Sequence, residues 1–293
     1  MKQSLQRLIP IIFVFVWSTG FIVARYGMPY SEPMTFLFLR FTGVLLVMVP
    51  VALLARVTWP SRQQCVHIAI AGVMLQAGYL GGVWAAVKLG MSASLVALIM
   101  GLQPIFTAWL SALVAERVSA RQWLGLMAGL TGVGMVVMAK FSLIGLSMTS
   151  LGLSVLALAS ITFGTLYQKR FCPSFDLRVG STIQFAASAL VCLPIMFAFE
   201  TRQIEWVLPM IASLLWSIFA LSIGAISLLF IMICDGAATK VTSLLYMTPP
   251  TTAAMAWLLF DEPITPLIVA GTAVTVLALL LVIKSPDKDP RAA

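Results

Sequence analysis

The sequence predicts an all-α membrane protein of ten transmembrane helices, in two inverted five-helix repeats with both termini cytoplasmic. Three observations predict it: composition, the distribution of basic residues, and an internal repeat. Hydrophobic residues make up 61% of the 293 residues and charged residues 10%, against about 45–50% and about 25% in soluble domains. This excludes a soluble globular protein, a disordered chain and a nucleic-acid-binding protein. Ten helices of about 21 residues leave only short loops, so the function must lie inside the membrane.

Ten apolar runs, separated by short polar or Gly/Pro turns, are each long enough to span as a helix. Strands are excluded because an open strand edge is unsatisfied in lipid. The first run follows Lys2 and Arg7 but precedes no small-x-small cleavage site, so we interpret it as an uncleaved span. In order, the runs lie near Leu8–Ala24, Pro33–Ala55, Val66–Val87, Ser92–Ala115, Gln122–Ala139, Leu151–Gln168, Gly180–Phe199, Leu208–Ile233, Ala237–Phe260 and Ile264–Ile283.

The basic residues orient these ten spans. Thirteen of the 18 Lys and Arg residues fall on the side that holds both termini, four fall on the other side, and Arg40 lies within the second span. Cytoplasmic loops carry an excess of Lys and Arg, so both termini are predicted to be cytoplasmic. The net charge of +8 is explained by this topology and indicates no nucleic-acid partner.

An ungapped match of the sequence to itself occurs at an offset of 146 residues, half the chain. We therefore predict two repeats, residues 1–145 and residues 146–293. Five helices is an odd number, so the second repeat must enter the membrane from the opposite side, as in many secondary transporters with a midplane substrate site. The match places Gly90 on Gly236, Pro104 on Pro250, Leu113 on Leu259, Glu116 on Glu262 and Gly125 on Gly271.

Several short motifs resemble one transporter superfamily. They are Trp17-Ser-Thr-Gly-Phe, Phe38-Leu-Arg-Phe, Gln103-Pro104 with Glu116, and Pro249-Pro250 followed by Phe260-Asp-Glu-Pro. The chain resembles the drug/metabolite transporter superfamily in its ten-helix, EamA-type branch, and is most similar to bacterial aromatic amino acid exporters. The resemblance implies that spans 1–4 and 6–9 surround a central cavity, with spans 5 and 10 peripheral.

Deep polar and aromatic residues are candidates for the cavity wall. A glutamine in lipid offers donors and acceptors to a zwitterionic solute, and an aromatic ring can stack on a flat or apolar side chain. The alternative is packing between helices, with polar groups as hydrogen-bonding links. Gln76 and Tyr79 are expected to share one helix face. The candidates are Trp17, Gln76, Tyr79, Trp84, Gln103, Ser160, Thr162, Ser222 and Tyr246.

Mid-span prolines and one charge stand out further. Pro104, Pro249 and Pro250 lie inside the fourth and ninth predicted spans, where each removes a backbone hydrogen bond. They are candidate hinges, and a static kink is the alternative. Arg40 is an intramembrane charge and therefore a functional candidate, although its side chain could also snorkel outward or pair with a carbonyl.

Small-residue spacing on the fifth span raises the question of oligomers. Gly125 and Gly129 form a GxxxG pattern, which permits close helix contact. It could serve a dimer, but packing on the tenth span, where Gly271 and Thr275 repeat the spacing, is favoured. We therefore expect a monomer and leave a dimer open.

The sequence lacks the residue patterns typical of proton pumps, enzymes, channels and metal sites. No Asp or Glu falls in the middle third of a predicted span, which favours movement of a neutral or zwitterionic solute without obligatory proton coupling. A single His and no central carboxylate argue against an enzyme, and no filter loop indicates a channel. Neither metal nor cofactor is expected, since the four cysteines, Cys65, Cys172, Cys192 and Cys234, show no CxxC spacing.

Together these features predict a secondary transporter in the bacterial inner membrane, in contact with lipid and a small-molecule substrate. The resemblance implies net export of amino acids, aromatic or neutral, and related metabolites by alternating access. The alternative is a multidrug exporter, or one of lipids or lipid-linked metabolites, of the same superfamily.

Overall fold

The computed structural model describes residues 2–55, 57–114, 120–144, 147–172, 175–225, 227–228 and 247–283. Helices dominate these residues, which contain no strand. They are α1 Lys2–Gly27, α2 Pro33–Leu54, α3 Arg62–Lys88, α4 Ala93–Met100, α5 Gln103–Val114, α6 Ala120–Ile144, α7 Met148–Phe171, α8 Leu177–Phe199, α9 Leu208–Ala225, α10 Thr248–Phe260 and α11 Pro266–Ile283.

Six of these helical stretches are long and apolar enough to cross a membrane. They coincide with the first, second, third, sixth, seventh and eighth predicted spans, so those six are helical and of spanning length, as expected. Shorter apolar helices run over Ala93–Thr107, Trp123–Val136 and Pro266–Ala278. Within the ninth predicted span, the described residues begin at Met247 and the helix begins at Thr248.

The fourth predicted span differs from the expectation of one kinked helix. It is built of two helices, α4 and α5, joined by a turn at Gly101 and Leu102. Pro104 is the second residue of α5, and its ring would clash with the carbonyl four residues earlier if the helix ran through. The chain therefore ends one helix and begins another, which places the proline in a first turn where it is tolerated.

Two helices contain wide π-helical segments, Val73–Gly78 in α3 and Ser217–Ala225 in α9. At the offset of 146 residues, the first segment falls entirely within the second, and Gly78 falls on Gly224. Hydroxyl groups from neighbouring helices support the α3 segment: Ser160 Oγ donates to the Met74 carbonyl at 3.0 Å and Ser188 Oγ to the Gly72 carbonyl at 3.0 Å. These bonds help to satisfy carbonyls where the regular helical ladder is broken.

Helices from the two halves of the chain pack on one another throughout. In particular, α1 contacts α9 and α10, α2 contacts α8, and α3 contacts α7 and α8. The core between them is apolar and aromatic, as shown by Phe36 stacked on Trp84 at 4.3 Å between ring centroids and by Phe41 against Phe185 at 5.6 Å. The halves therefore form one structural body.

The helices α6 and α11 lie against each other through small residues. A Cβ at Gly132 would stand 2.6 Å from the Gly271 carbonyl and 2.8 Å from Thr275 N. Such a close approach requires glycine. The expected packing of the fifth span on the tenth within one chain is present, and its tight contacts run through Gly132, Gly271 and Thr275. A Cβ at Gly129 would instead meet Ile105 first.

Candidate functional site

A small cavity lies among helices of both halves. Water can occupy about 50 Å³ of it, which is room for a few water molecules. Its walls come from α1, α3, α4, α5, α7 and α10. The lining residues are Trp17, Phe21, Tyr79, Ala97, Met100, Gly101, Gln103, Ile161, Thr248 and Pro249.

The break between α4 and α5 shapes one wall of this cavity. A Cβ at Gly101 would stand 2.8 Å from Pro249 Cγ and 3.0 Å from the Leu98 carbonyl. Only glycine fits between these groups, so it lets α4 approach α10 closely. The turn also carries the chain into α5 at Gln103, whose side chain lines the cavity.

Hydrogen bonds hold the side-chain amide of Gln103 in one orientation in the cavity wall. Its Nε2 donates to Thr165 Oγ1 at 3.1 Å, and that hydroxyl donates in turn to the Ile161 carbonyl at 2.7 Å. Because the Thr165 proton is already engaged, its oxygen must accept, which orients the amide of Gln103. The Oε1 atom of Gln103 then remains available as an acceptor for a solute ammonium group.

Thr248 is a second polar group in the wall, and its hydrogen-bonding capacity is unused. The residue is 6% exposed, and its Oγ1 has no hydrogen-bond partner within the described part of the chain. A buried hydroxyl without a partner costs free energy. Since Thr248 lines the cavity, a bound solute or water can supply that partner.

Aromatic rings form the apolar part of the wall. Trp17 and Phe21 lie one helical turn apart on α1 and both line the cavity. Phe13 packs on Trp17 with 5.4 Å between ring centroids, which supports the indole from the side away from Phe21. The cavity thus combines rings suited to stacking with an amide and two hydroxyl-bearing residues, Tyr79 and Thr248.

Of the residues singled out in the sequence, the structure brings Trp17, Tyr79, Gln103 and Pro249 together around this cavity. Other candidates lie elsewhere: Trp84, 1% exposed, stacks on Phe36. The remaining candidates on described helices are placed by their hydrogen bonds: Ser160 donates to Met74, Thr162 donates to Leu158 and Ser222 accepts from Arg40.

Gln76 does not line the cavity although Tyr79 does. Both lie at or beside the π-helical segment Val73–Gly78, in which each residue turns the chain by less than in an α-helix. A pair three residues apart is therefore splayed, and the expectation that these two side chains share one face rests on α-helical geometry that is absent here.

The prolines occupy helix starts. Pro249 and Pro250 stand in the first turn of α10, and Pro104 stands in the first turn of α5. Tyr246 and Glu116 lie outside the described residues. Sequence reasoning missed Thr248 and Phe21 as lining residues; the hydroxyl next to the Pro249-Pro250 pair and the ring one turn after Trp17 were the signals that could have identified them.

Arg40 is buried in α2, with 6% of its surface exposed. Its Nε donates to Ser222 Oγ of α9 at 3.0 Å. The adjacent Leu221 packs at Gly20 of α1, next to Phe21 of the cavity wall. No carboxylate lies within 4 Å of the guanidinium in the described part of the chain. The guanidinium is therefore a buried charge close to the cavity wall, with a neutral hydrogen-bond partner, Ser222.

Two glutamates of the second half accept hydrogen bonds from the first residues of helices in the first half. Glu200, which follows α8, accepts hydrogen bonds from Met34 N at 2.7 Å, Thr35 N at 2.8 Å and Thr35 Oγ1 at 2.7 Å, at the start of α2. Glu262, which follows α10, accepts from Ala93 N at 3.2 Å and from Ser94 Oγ at the start of α4. Each carboxylate of the second half thus caps a helix of the first half, where the helix dipole favours negative charge.

Comparison with known proteins agrees with this architecture. The chain is 26% identical to the "Uncharacterized transporter YvbV" of Bacillus subtilis strain 168, over 96% of this chain and 92% of that one. It is 23% identical to the "Uncharacterized inner membrane transporter YedA" of Escherichia coli K12, over 91% and 87%. It is 28% identical to the "Probable amino-acid metabolite efflux pump" of Salmonella typhimurium LT2, over 55% of this chain and 52% of that one.

One solved crystal structure superposes with a TM-score of 0.63 at 19% identity, covering 94% of each chain, which shows a shared fold. The model of the EamA-like transporter family matches twice, over residues 8–138 and 148–284. These matches and the six spanning helices make this a multi-pass protein of the bacterial inner membrane. The chain belongs to the EamA-like transporter family.

Proposed function

We propose that this transporter exports amino acids with aromatic or neutral side chains, and related metabolites, by alternating access. The observation that carries the proposal is the cavity between the halves, where Trp17 and Phe21 face the same space as Gln103 and Thr248. The rings suit an apolar side chain, and the amide and hydroxyl suit a zwitterionic head group. The name of the Salmonella relative, an amino-acid metabolite efflux pump, supports the same substrate class.

Transport proceeds without obligatory proton coupling. In the described residues every carboxylate lies at a helix end or in a loop, and none lies within a helix. A proton-driven carrier normally places a titratable group along the solute path. Net export then follows the solute gradient. A monomer suffices, because the small residues of α6 are used for packing on α11.

Flux measurements test this function. Proteoliposomes loaded with labelled phenylalanine are expected to release it at a rate that does not change with an imposed pH gradient. Gln103→Ala is expected to weaken phenylalanine binding about tenfold, because a buried site loses a hydrogen bond to a charged group. Gln203→Ala, in an exposed loop, is the matched control. Release only under a proton gradient would contradict uncoupled transport, and folded protein without amino acid flux would favour drugs or lipids as substrates.

We further propose ten spanning helices in two inverted repeats, residues 1–145 and 146–293, with both termini cytoplasmic. The two family matches, the π-helical segments at the same offset and the prolines that begin α5 and α10 support it. A reporter that is active only in the periplasm is expected to be active when fused after Arg202 and inactive when fused after Arg62 or Ala293. Activity at the chain's end would contradict this topology.

A further inference from the structure

We propose that Arg40 binds the carboxylate of the transported solute, so that the carrier selects carboxylate-bearing solutes and disfavours cations. This inference rests on the proposed function and names the chemical group that the same cavity recognises. It assigns a role to a buried charge that the packing of the helices does not explain.

The first argument is the missing counter-charge. Arg40 is 6% exposed, and its hydrogen bond within the described chain runs from Nε to Ser222 Oγ at 3.0 Å. Ser222 is neutral, and no carboxylate of the described residues lies within 4 Å. A buried guanidinium without a paired anion is strongly unfavourable. A carboxylate that is part of the solute would pair with the guanidinium whenever the solute is bound. This lowers the free-energy cost of the buried charge without a permanent salt bridge.

The second argument is the position of the charge. Arg40 donates to Ser222. The adjacent Leu221 packs at Gly20 of α1, where a Cβ would stand 3.8 Å from the Leu221 side chain. Gly20 precedes Phe21, which forms part of the cavity wall. In surroundings of low dielectric the field of a cation is weakly screened, so the positive potential extends into the cavity. Arg40 also bridges the halves, because Ser222 belongs to α9 and Arg40 to α2. A solute that neutralises it therefore acts between the two halves.

The third argument comes from the cavity itself, independently of Arg40. The Oγ1 of Thr248 is buried, lines the cavity and has no partner in the described part of the chain, so a solute group can pair with it. A hydroxyl at this position can donate to a carboxylate oxygen. The cavity therefore offers a polar partner for an anionic group in addition to Arg40.

The consequence for specificity is sharp. The Oε1 of Gln103 can accept from an ammonium group, whereas Arg40 repels one, so a zwitterion can bind with its carboxylate toward Arg40. An amine without a carboxylate can donate to Gln103 Oε1, but its positive charge is repelled by Arg40 and it has no carboxylate to offset that repulsion. Cationic amphiphilic drugs are therefore poor solutes for this cavity.

The test uses the purified full chain and three solutes of similar shape: phenylalanine, 3-phenylpropionate and phenethylamine. Binding is read from the rise in melting temperature of the detergent-solubilised protein over a concentration series. We expect both carboxylates to bind and phenethylamine to bind weakly. Arg40→Gln is expected to weaken binding of both carboxylates about 10- to 100-fold, as for loss of a hydrogen bond to a charged group.

Two variants control for folding. Arg40→Lys keeps the charge and is expected to retain part of the carboxylate binding. Arg25→Gln removes an arginine that lies over the Phe260 ring at 5.5 Å, away from the cavity lining, and is expected to bind like the parent. The inference is overturned if a folded Arg40→Gln protein binds carboxylates normally, or if phenethylamine is the preferred solute of the parent.

The two proposals fail separately. Phenylalanine transport that survives Arg40→Gln unchanged would keep the proposed function and remove this inference. Binding of 3-phenylpropionate that depends on Arg40, without phenylalanine transport, would keep the inference and replace amino acids by other carboxylates as the substrate.

Discussion

Replacing Gly132 by leucine is expected to separate α6 from α11 and to destabilise the protein more than any other single change considered. A Cβ at this position would overlap Thr275 Oγ1 and stand 2.6 Å from the Gly271 carbonyl and 2.8 Å from Thr275 N. Two of these atoms are backbone and cannot rotate away. Overpacking a tight contact typically costs about 1–3 kcal/mol, and a leucine against backbone atoms falls at or above the upper end.

The measurement is the melting temperature of purified protein in detergent, together with its elution profile. Gly134→Leu is the matched control, because it lies on the same helix and a Cβ there would meet nothing within 4 Å. We expect a lower melting temperature or aggregation for Gly132→Leu and parent-like behaviour for Gly134→Leu. Equal stability of the two variants would show that α6 and α11 do not pack as described.

The second large effect concerns Glu200. Glu200→Ala is expected to favour opening of the molecule at the end where this carboxylate caps α2. The substitution removes three hydrogen bonds, to Met34 N, Thr35 N and Thr35 Oγ1, and the negative charge that complements the helix dipole. Water replaces part of the loss, so a net effect of about 2 kcal/mol, or about 30-fold in the equilibrium between closed and open forms, is expected.

Accessibility of the cavity measures this shift. In a background without its own cysteines, Ala97→Cys places a thiol in the cavity wall, and a membrane-impermeant maleimide is added from the side of the membrane on which Glu200 lies. We expect faster labelling when Glu200→Ala is also present. Glu205→Ala, in the same loop and exposed, serves as control. Unchanged labelling would mean that Glu200 positions its loop but does not affect the equilibrium between the closed and open forms.

Much of the architecture follows from hydropathy, because apolar runs of spanning length have no alternative to the helix in lipid. The packing of α6 on α11 was likewise predictable, since glycine and threonine spacing directly limits how closely helices approach. Trp17, Tyr79 and Gln103 were selected by residue type and depth alone. The structure places all three around one cavity.

What the sequence could not predict depends on breaks in helical regularity. The turn at Gly101 and the π-helical segment Val73–Gly78 rotate everything that follows them, and neither has a hydropathy signal. Gln76 was therefore paired with Tyr79 on α-helical geometry that the chain does not keep. Trp84 could not be distinguished from a cavity residue, because a ring stacked in the core and a ring facing a solute have the same sequence signature.

The wide turn shared by α3 and α9 also bears on the history of the chain. A π-helical turn holds an extra residue in an otherwise regular helix, and here it occurs at corresponding places in the two segments matched by one family model. The simplest history is a single insertion in a half-length ancestor, before its gene was duplicated and fused. Since then the side chains have diverged, with Gln76 now corresponding to Ser222. The two segments thus share a backbone path while their side chains differ.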